Sequence, residues 1–209
     1  MRIIFWGTPE YSVKSLEVLK KSDHDIVAVI TQPDKKRSRG NKLISSPVKE
    51  YATKENIPVF TPEKIKENIQ FISRLKDLSC DLFIVIAYGK ILPKAILDIP
   101  KYKSWNAHAS LLPRWRGAAP IQWSILEGDK ITGVGIMRME EGLDTGDILI
   151  EKQIKIENKD NLKTLTKRLS DLSSELLLRA ISDIEQNINK DINLLLKKQT
   201  AFQRELKYA

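Results

Sequence analysis

Asp81-Leu82-Phe83-Ile84-Val85-Ile86-Ala87 is an unbroken apolar run of strand length, the pattern of a strand covered on both faces in a parallel sheet. Upstream of it, Arg2 to Phe5 reads as a short buried strand and Asp25 to Thr31, rich in Ile and Val, as a second. Gly7-Thr8-Pro9 turns from the first strand into a helix, with Thr8 as its N-cap and Pro9 at the first helical position. Val13, Leu16 and Leu19 give that helix an apolar face. Pro47 to Asn56 reads as helical and Val59-Phe60 as a short strand, and Thr61 is expected to cap a helix running to about Leu78. Downstream, a loop over Tyr88 to Pro93 leads into a short helix and a strand over Ser104 to His108. A helix over Pro120 to Glu127 is closed by Gly128, and strands follow over Thr132 to Met139 and Asp147 to Ile156. Last comes a long helix from about Asp160 to Asn187, in which Leu162, Leu165, Leu169, Leu172 and Leu176 recur at helical spacing. This βαβ succession predicts a doubly wound, mainly parallel sheet with helices on both faces. Ligands of such sheets bind beyond the carboxyl ends of the strands.

Composition narrows the classes. The chain has 209 residues, enough for one good core; 42% are hydrophobic and 30% charged, as in soluble globular proteins. No apolar run approaches the ~20 residues that span a bilayer. The N-terminus enters a strand pattern directly, without the layout of a signal peptide. The lone Cys80 excludes an internal disulfide framework, and the expected setting is a reducing cytoplasm. Two histidines and one cysteine fall short of a common zinc ligand set, so no metal is expected. The net charge of +8 favours a polyanionic partner such as nucleic acid, although many basic proteins bind none.

Chemistry concentrates around the Ser104–His108 strand. Alternation sends Trp105 and Ala107 into a core and Asn106 and His108 together to the other side. Asp144 follows on a loop flanked by Gly142 and Gly146, where a carboxylate can orient an imidazole or keep it protonated. An amide, an imidazole and an acid suit acyl-type transfer: two donors face a developing oxyanion and a carboxylate handles the proton. No nucleophilic side chain is required when the acceptor is an amine. Ser110 lacks the Gly-x-Ser-x-Gly elbow, and in a continuing strand it would run parallel to His108, which argues against a serine nucleophile.

Other features admit two readings. Gly7-Thr8-Pro9 lacks the Gly-x-Gly-x-x-Gly fingerprint and loses an N–H to Pro9, which argues against NAD; it is a capped helix start or a backbone turn touching substrate. Lys35 to Lys42 carries five positive charges in eight residues and is either a solvated loop or one that grips RNA phosphates. Arg114-Trp115-Arg116 either pairs with phosphate and stacks on a base, or Trp115 packs under the loop. Cys80 reads as an inert core thiol and His24 as a surface turn residue.

Asn106-x-His108-x-Ser110-Leu-Leu-Pro113 with the later Asp144 resembles the signature of the folate-dependent formyltransferases. Gly7-Thr-Pro-Glu10, Thr31-Gln-Pro-Asp34, Arg39-Gly40, Ser46-Pro-Val-Lys49, Ala87-Tyr-Gly-x-Ile-Leu-Pro93, Pro113-Arg-Trp-Arg-Gly-Ala-Ala-Pro-Ile-Gln122 and Gly142-Leu-Asp-Thr-Gly-Asp147 resemble the branch of that family whose acceptor is methionyl initiator tRNA. The resemblance covers roughly residues 1 to 205 and implies a Rossmann-like fold. It implies Asn106, His108 and Asp144 as the catalytic trio. Ser110, Leu111, Leu112 and Pro113, with Ile91 and Leu92, would hold 10-formyltetrahydrofolate. Arg39, with Lys36, Arg37 and Lys42, would contact the tRNA. Ala109 departs from the family, where many members have glycine.

The resemblance also implies a formyltransferase catalytic domain over residues 1–190. Residues 191–209 would then be a basic tail or linker towards an OB-like domain that the chain does not reach. A monomer that keeps the folate site but binds tRNA more weakly is expected. Rival readings are a formyltransferase for glycinamide ribonucleotide or an amino sugar nucleotide, a folate hydrolase, and a non-catalytic RNA-binding module.

Overall fold

The computed structural model describes residues 1–37, 42–186, 197 and 199, with the side chains of Lys36, Arg37 and Lys42 outside that description. In chain order the elements are β1 (Arg2–Gly7), α1 (Glu10–Lys20), β2 (Asp25–Ile30), β3 (Lys35–Arg37), β4 (Lys42–Ile44), α2 (Pro47–Lys54), β5 (Val59–Phe60) and α3 (Ile69–Asp77). They continue with β6 (Leu82–Ile86), α4 (Lys94–Leu97), β7 (Ser104–His108), α5 (Pro120–Leu126), β8 (Ile131–Arg138), β9 (Ile148–Lys155) and α6 (Leu162–Gln186). One seven-stranded, mostly parallel sheet has the order β5-β2-β1-β6-β7-β8-β9. The chain forms two compact units, Met1–Trp105 and Asn106–Ala209.

In the first unit β1 lies between β2 and β6, parallel to both, with Trp6 opposite Ile30 on one side and Val85 on the other. Ile3, Ile4, Phe5 and Trp6 are fully buried, as are Leu82, Phe83, Ile84 and Ile86, so successive side chains on both faces of these strands are covered, as uninterrupted apolar sequences require. Trp6 meets Phe71 and Tyr88 edge to face and lies tilted against Phe83, a preferred set of aromatic geometries. Gly7 is small by necessity. A Cβ there would sit 2.8 Å from the Phe5 ring and 2.9 Å from the Ser12 Cβ. Ser12 uses that closeness, donating to the Ile86 carbonyl at 2.7 Å.

Two predicted helix starts are corrected. α1 begins at Glu10 without a side-chain cap, because the Thr8 hydroxyl donates instead to the Tyr88 carbonyl at 2.9 Å. Its buried face is Ser12, Ser15, Leu16 and Leu19, with Val13 half-buried. α3 does not start at Thr61 but at Ile69, capped by the Asn68 side chain, which accepts from the Phe71 amide at 3.0 Å. The Lys90 ammonium donates to the Pro62 and Glu63 carbonyls, at 3.1 and 2.7 Å, and so satisfies groups that a first helical turn would have used.

The basic stretch after β2 is a correction too. Rather than an open loop, its two ends pair as an antiparallel hairpin, Lys35 opposite Ile44 and Arg37 opposite Lys42. The hairpin's base is tied by Lys49 donating to Asp34 at 2.7 Å, a contact that holds the Asp34 carboxyl below the usual carboxylate range. Arg39 lies outside the described residues.

Cys80 is nearly buried, and that burial pushes its thiol up to about 11. Alkylation near neutral pH needs the thiolate, so Cys80 is expected to react with iodoacetamide at about pH 8 at least ~100-fold more slowly than free cysteine. Mass-spectrometric labelling of the folded protein checks this; labelling as fast as in urea would contradict it.

The second unit is built on the antiparallel pair β8 and β9, with α6 packed on it through Leu165, Leu169, Leu172, Leu176 and Ile181. Leu162, predicted as part of that stripe, is 45% exposed at the helix start. Asn161 and Thr164 cap α6 reciprocally, each side chain accepting the other's amide, at 3.1 and 2.9 Å. α5 ends as expected, with Gly128 at φ +65°. Residues 187–196 lie outside the described residues.

Candidate active site

β7 presents side chains as the alternation predicted: Trp105 and Ala107 are buried, while Asn106 is half-exposed on the other face. His108 is 5% exposed. Asp144 reaches it from the β8–β9 connection, whose shape depends on glycines. A Cβ at Gly142 would lie 2.3 Å from the Thr145 hydroxyl, and one at Gly146 would lie 1.8 Å from the Arg138 carbonyl oxygen. Asp144 itself adopts φ +50°, a left-handed conformation that aspartate tolerates better than most residues.

The Asp144 carboxylate gathers three partners. Its Oδ1 accepts from the Asn106 amide at 3.1 Å, and its Oδ2 accepts from the Gly117 backbone N–H at 2.8 Å. His108 Nδ1 stands 3.5 Å from the same Oδ2. The acid and imidazole side chains are only 11% and 6% exposed, so the charge is held by hydrogen bonds rather than by water. The far nitrogen, His108 Nε2, donates to the Trp115 carbonyl at 2.8 Å. Both ring nitrogens thus face oxygen acceptors.

The residues expected to hold the formyl donor divide by exposure. Leu92 is buried, and Leu112 packs with Met137 and Ile148, so both shape the core rather than offer a surface. Ser110 is fully buried and its hydroxyl donates to the Arg114 carbonyl. Ile91 is 80% exposed, and Leu111 and Pro113 are half-exposed. Leu111 lines a depression of about 160 Å³ with Arg114, Trp115, Asp129, Ile131 and Thr132. Sites for drug-sized ligands run to ~300–1,000 Å³, so this hollow by itself is too small for a folate.

The Arg114-Trp115-Arg116 segment resolves towards packing. Trp115 stacks on Trp123 with centroids 5.8 Å apart, and its indole donates to Asp129 at 2.7 Å. Arg114 forks onto the same Asp129 and lies 4.4 Å over the Trp115 ring. Arg116 donates to the Gln199 side-chain oxygen. Sequence reasoning missed the Gly117 amide, the Trp115 carbonyl and Gln199. The first two act through the backbone, and no side-chain pattern marks them.

The sheet order is that of an α/β protein, and Asn106, His108 and Asp144 form a polar cluster at β7. The family model described as formyl transferase matches residues 1–181, and the chain belongs to that family. It is 94% identical over 209 residues to the methionyl-tRNA formyltransferase of Prochlorococcus marinus subsp. pastoris, covering 100% of this chain and 64% of that protein. The methionyl-tRNA formyltransferase of Prochlorococcus marinus strain MIT 9515 is 84% identical over the same 209 residues, again with 64% of its length covered. Among solved structures, the phosphoribosylglycinamide formyltransferase from Bacillus halodurans superposes with a TM-score of 0.74 at 23% identity, covering 90% of this chain and 97% of that one. At that identity the likeness speaks for the fold. The chain spans 64% of the length of the two relatives.

Proposed function

We propose that this chain transfers the formyl group of 10-formyltetrahydrofolate to the α-amine of methionyl initiator tRNA, the step that prepares the charged tRNA for translation initiation. The observation that carries this reading is the carboxylate of Asp144 joined to the Asn106 amide and facing His108 in one nearly buried cluster. The names borne by relatives at 94% and 84% identity supply the acceptor.

The chemistry follows from the donors and acceptors. The neutral methionyl amine attacks the formyl carbon, and the carbonyl oxygen gains negative charge. Asn106 spends one N–H on Asp144 and has a second for that oxygen. His108 Nε2–H, now on the Trp115 carbonyl, is the other donor once that carbonyl gives way to the substrate oxygen. The carbonyl belongs to a segment with three left-handed residues, Trp115, Gly117 and Ala119, at φ +60°, +88° and +58°. Asp144 balances charge on the imidazole and takes the amine proton, directly or through a water. The C–N10 bond then breaks, N10 receives the proton that Asp144 had taken from the amine, and tetrahydrofolate leaves. Preorganised donors in a water-poor site make the main contribution to such a rate.

Residues 1–190 would form the catalytic domain and 191–209 a basic link onward. Ser110 to Pro113 and Ile91-Leu92 would border the folate; of these, Ile91 is exposed and Leu111 half-exposed. Arg39, with Lys36, Arg37 and Lys42, would contact tRNA phosphates. A monomer acting in the cytoplasm is the matching setting. Among the described residues no helix is long and apolar enough to cross a membrane.

The deciding experiment is single-turnover formyl transfer with methionyl initiator tRNA, glycinamide ribonucleotide and an amino sugar nucleotide offered side by side. Transfer to a small acceptor in preference to the tRNA, or deformylation without any amine, would replace this reading. Arg39→Ala is expected to weaken use of tRNA and to lower the slope of log affinity against log salt by about one, as loss of a single phosphate contact does. An unchanged slope would return the hairpin to a solvated role.

A further inference from the structure

The last described residues of the chain lie against the Asp144 loop. Lys197 forms an antiparallel bridge with Ile148, its N–H donating at 2.8 Å and its carbonyl accepting at 2.9 Å. Gln199 reaches the same turn. Its carboxamide has four hydrogen bonds there. Oε1 accepts from Arg116 Nε at 3.1 Å and from its terminal nitrogen at 2.6 Å, while Nε2 donates to the Asp144 carbonyl at 3.1 Å and the Gly146 carbonyl at 2.7 Å. A guanidinium only donates and a carbonyl only accepts, so the amide orientation is dictated by its surroundings. Only a carboxamide of this length meets both demands. Glutamate has no donor for the carbonyls, and lysine or arginine has no acceptor for the guanidinium.

We propose that Gln199 is a positioning residue for formyl transfer. Its side chain ties Arg116 to the two carbonyls of the 144–146 turn and so holds the Asp144 carboxylate on Asn106, His108 and Gly117. The turn needs such a hold, because Asp144 has a left-handed backbone and its neighbours at 142 and 146 are glycines without side chains to anchor them. Gln199 is half-exposed and touches no group that would react, so its effect passes through Asp144.

This inference rests on the formyl-transfer reading, and the test separates the two. Gln199→Glu keeps the Arg116 contact and loses both donations; Gln199→Met keeps the length and loses all four bonds. In the full-length protein each variant is expected to lower kcat for methionyl initiator tRNA by about ten- to a hundredfold, the cost of sub-ångström to ångström misplacement of a catalytic group. KM for 10-formyltetrahydrofolate should stay within about threefold, since donor contacts are untouched. The Gly117 amide, which donates to Asp144, should exchange its hydrogen at least about fivefold faster while the melting temperature stays within about 3 °C. A kcat within about threefold of the unsubstituted protein, or unaltered Gly117 exchange, overturns the proposal. If the unsubstituted protein transfers no formyl group yet the variants loosen Gly117, the functional reading fails while the hold on Asp144 stands.

Discussion

Replacing His108 with alanine is expected to slow single-turnover formyl transfer by about 10²–10³-fold, the usual consequence of deleting one oxyanion donor. The imidazole is bracketed by the Asp144 carboxylate at 3.5 Å and the Trp115 carbonyl at 2.8 Å, and alanine there removes its Nε2–H from the site. Its removal also leaves Asp144 with donors only from Asn106 and Gly117. Because the donation strengthens as charge develops, kcat and kcat/KM should fall together while donor binding persists. Rapid-quench measurement of formylmethionyl-tRNA, with a melting curve to show the variant folded, gives the answer. A folded variant that retains the original rate would remove His108 from the mechanism.

A second large effect is expected at a glycine that itself touches no reacting atom. In Gly146→Ala the new methyl would lie 1.8 Å from the Arg138 carbonyl oxygen and 3.0 Å from its carbon. Neither atom can yield cheaply, since Arg138 is the last residue of β8 and its N–H is already bonded to the Asp147 carbonyl at 2.8 Å. The turn must therefore move, at a cost of about 1–3 kcal/mol, the usual range for overpacking. For a chain of this size that corresponds to a melting temperature lower by roughly 2–12 °C. The same movement carries Asp144 away from Asn106, so transfer should fall even at temperatures where the variant is folded. Calorimetry and a transfer assay on one preparation test both halves. Unchanged stability would mean that the turn repacks freely and is no scaffold for the acid.

How far the chain could be read in advance depended on distance along it. The strands β1, β6 and β7 were legible because apolar runs and period-two alternation are local properties. The pairing of Asn106 with His108 on one side of β7 belongs to the same class of inference. Asp144 was legible only through glycines on either side and a family resemblance, because nothing local says which strand end a loop acid will face. The misplaced helix starts have one cause. Thr8 and Thr61 both look like caps, but the Thr8 hydroxyl goes to the Tyr88 carbonyl, and Lys90 takes the carbonyls that follow Thr61. Trp115 carried two readings until Trp123 and Asp129 came to lie beside it.

By itself the order of residues determined the main strands and helices, though not the β3–β4 pair or the start of α3, along with the general basic charge and the side of β7 on which Asn106 and His108 lie. Those follow from hydrophobic periodicity and side-chain alternation within a few residues. Tertiary structure alone decided the partners: Thr8 with Tyr88 across 80 positions, Asn106 with Asp144 across 38, and Gln199 with Asp144 across 55. A buried polar group takes whichever donor or acceptor the packed backbone brings within about 3 Å, and that choice is settled by the path of the whole chain rather than by its neighbours in sequence.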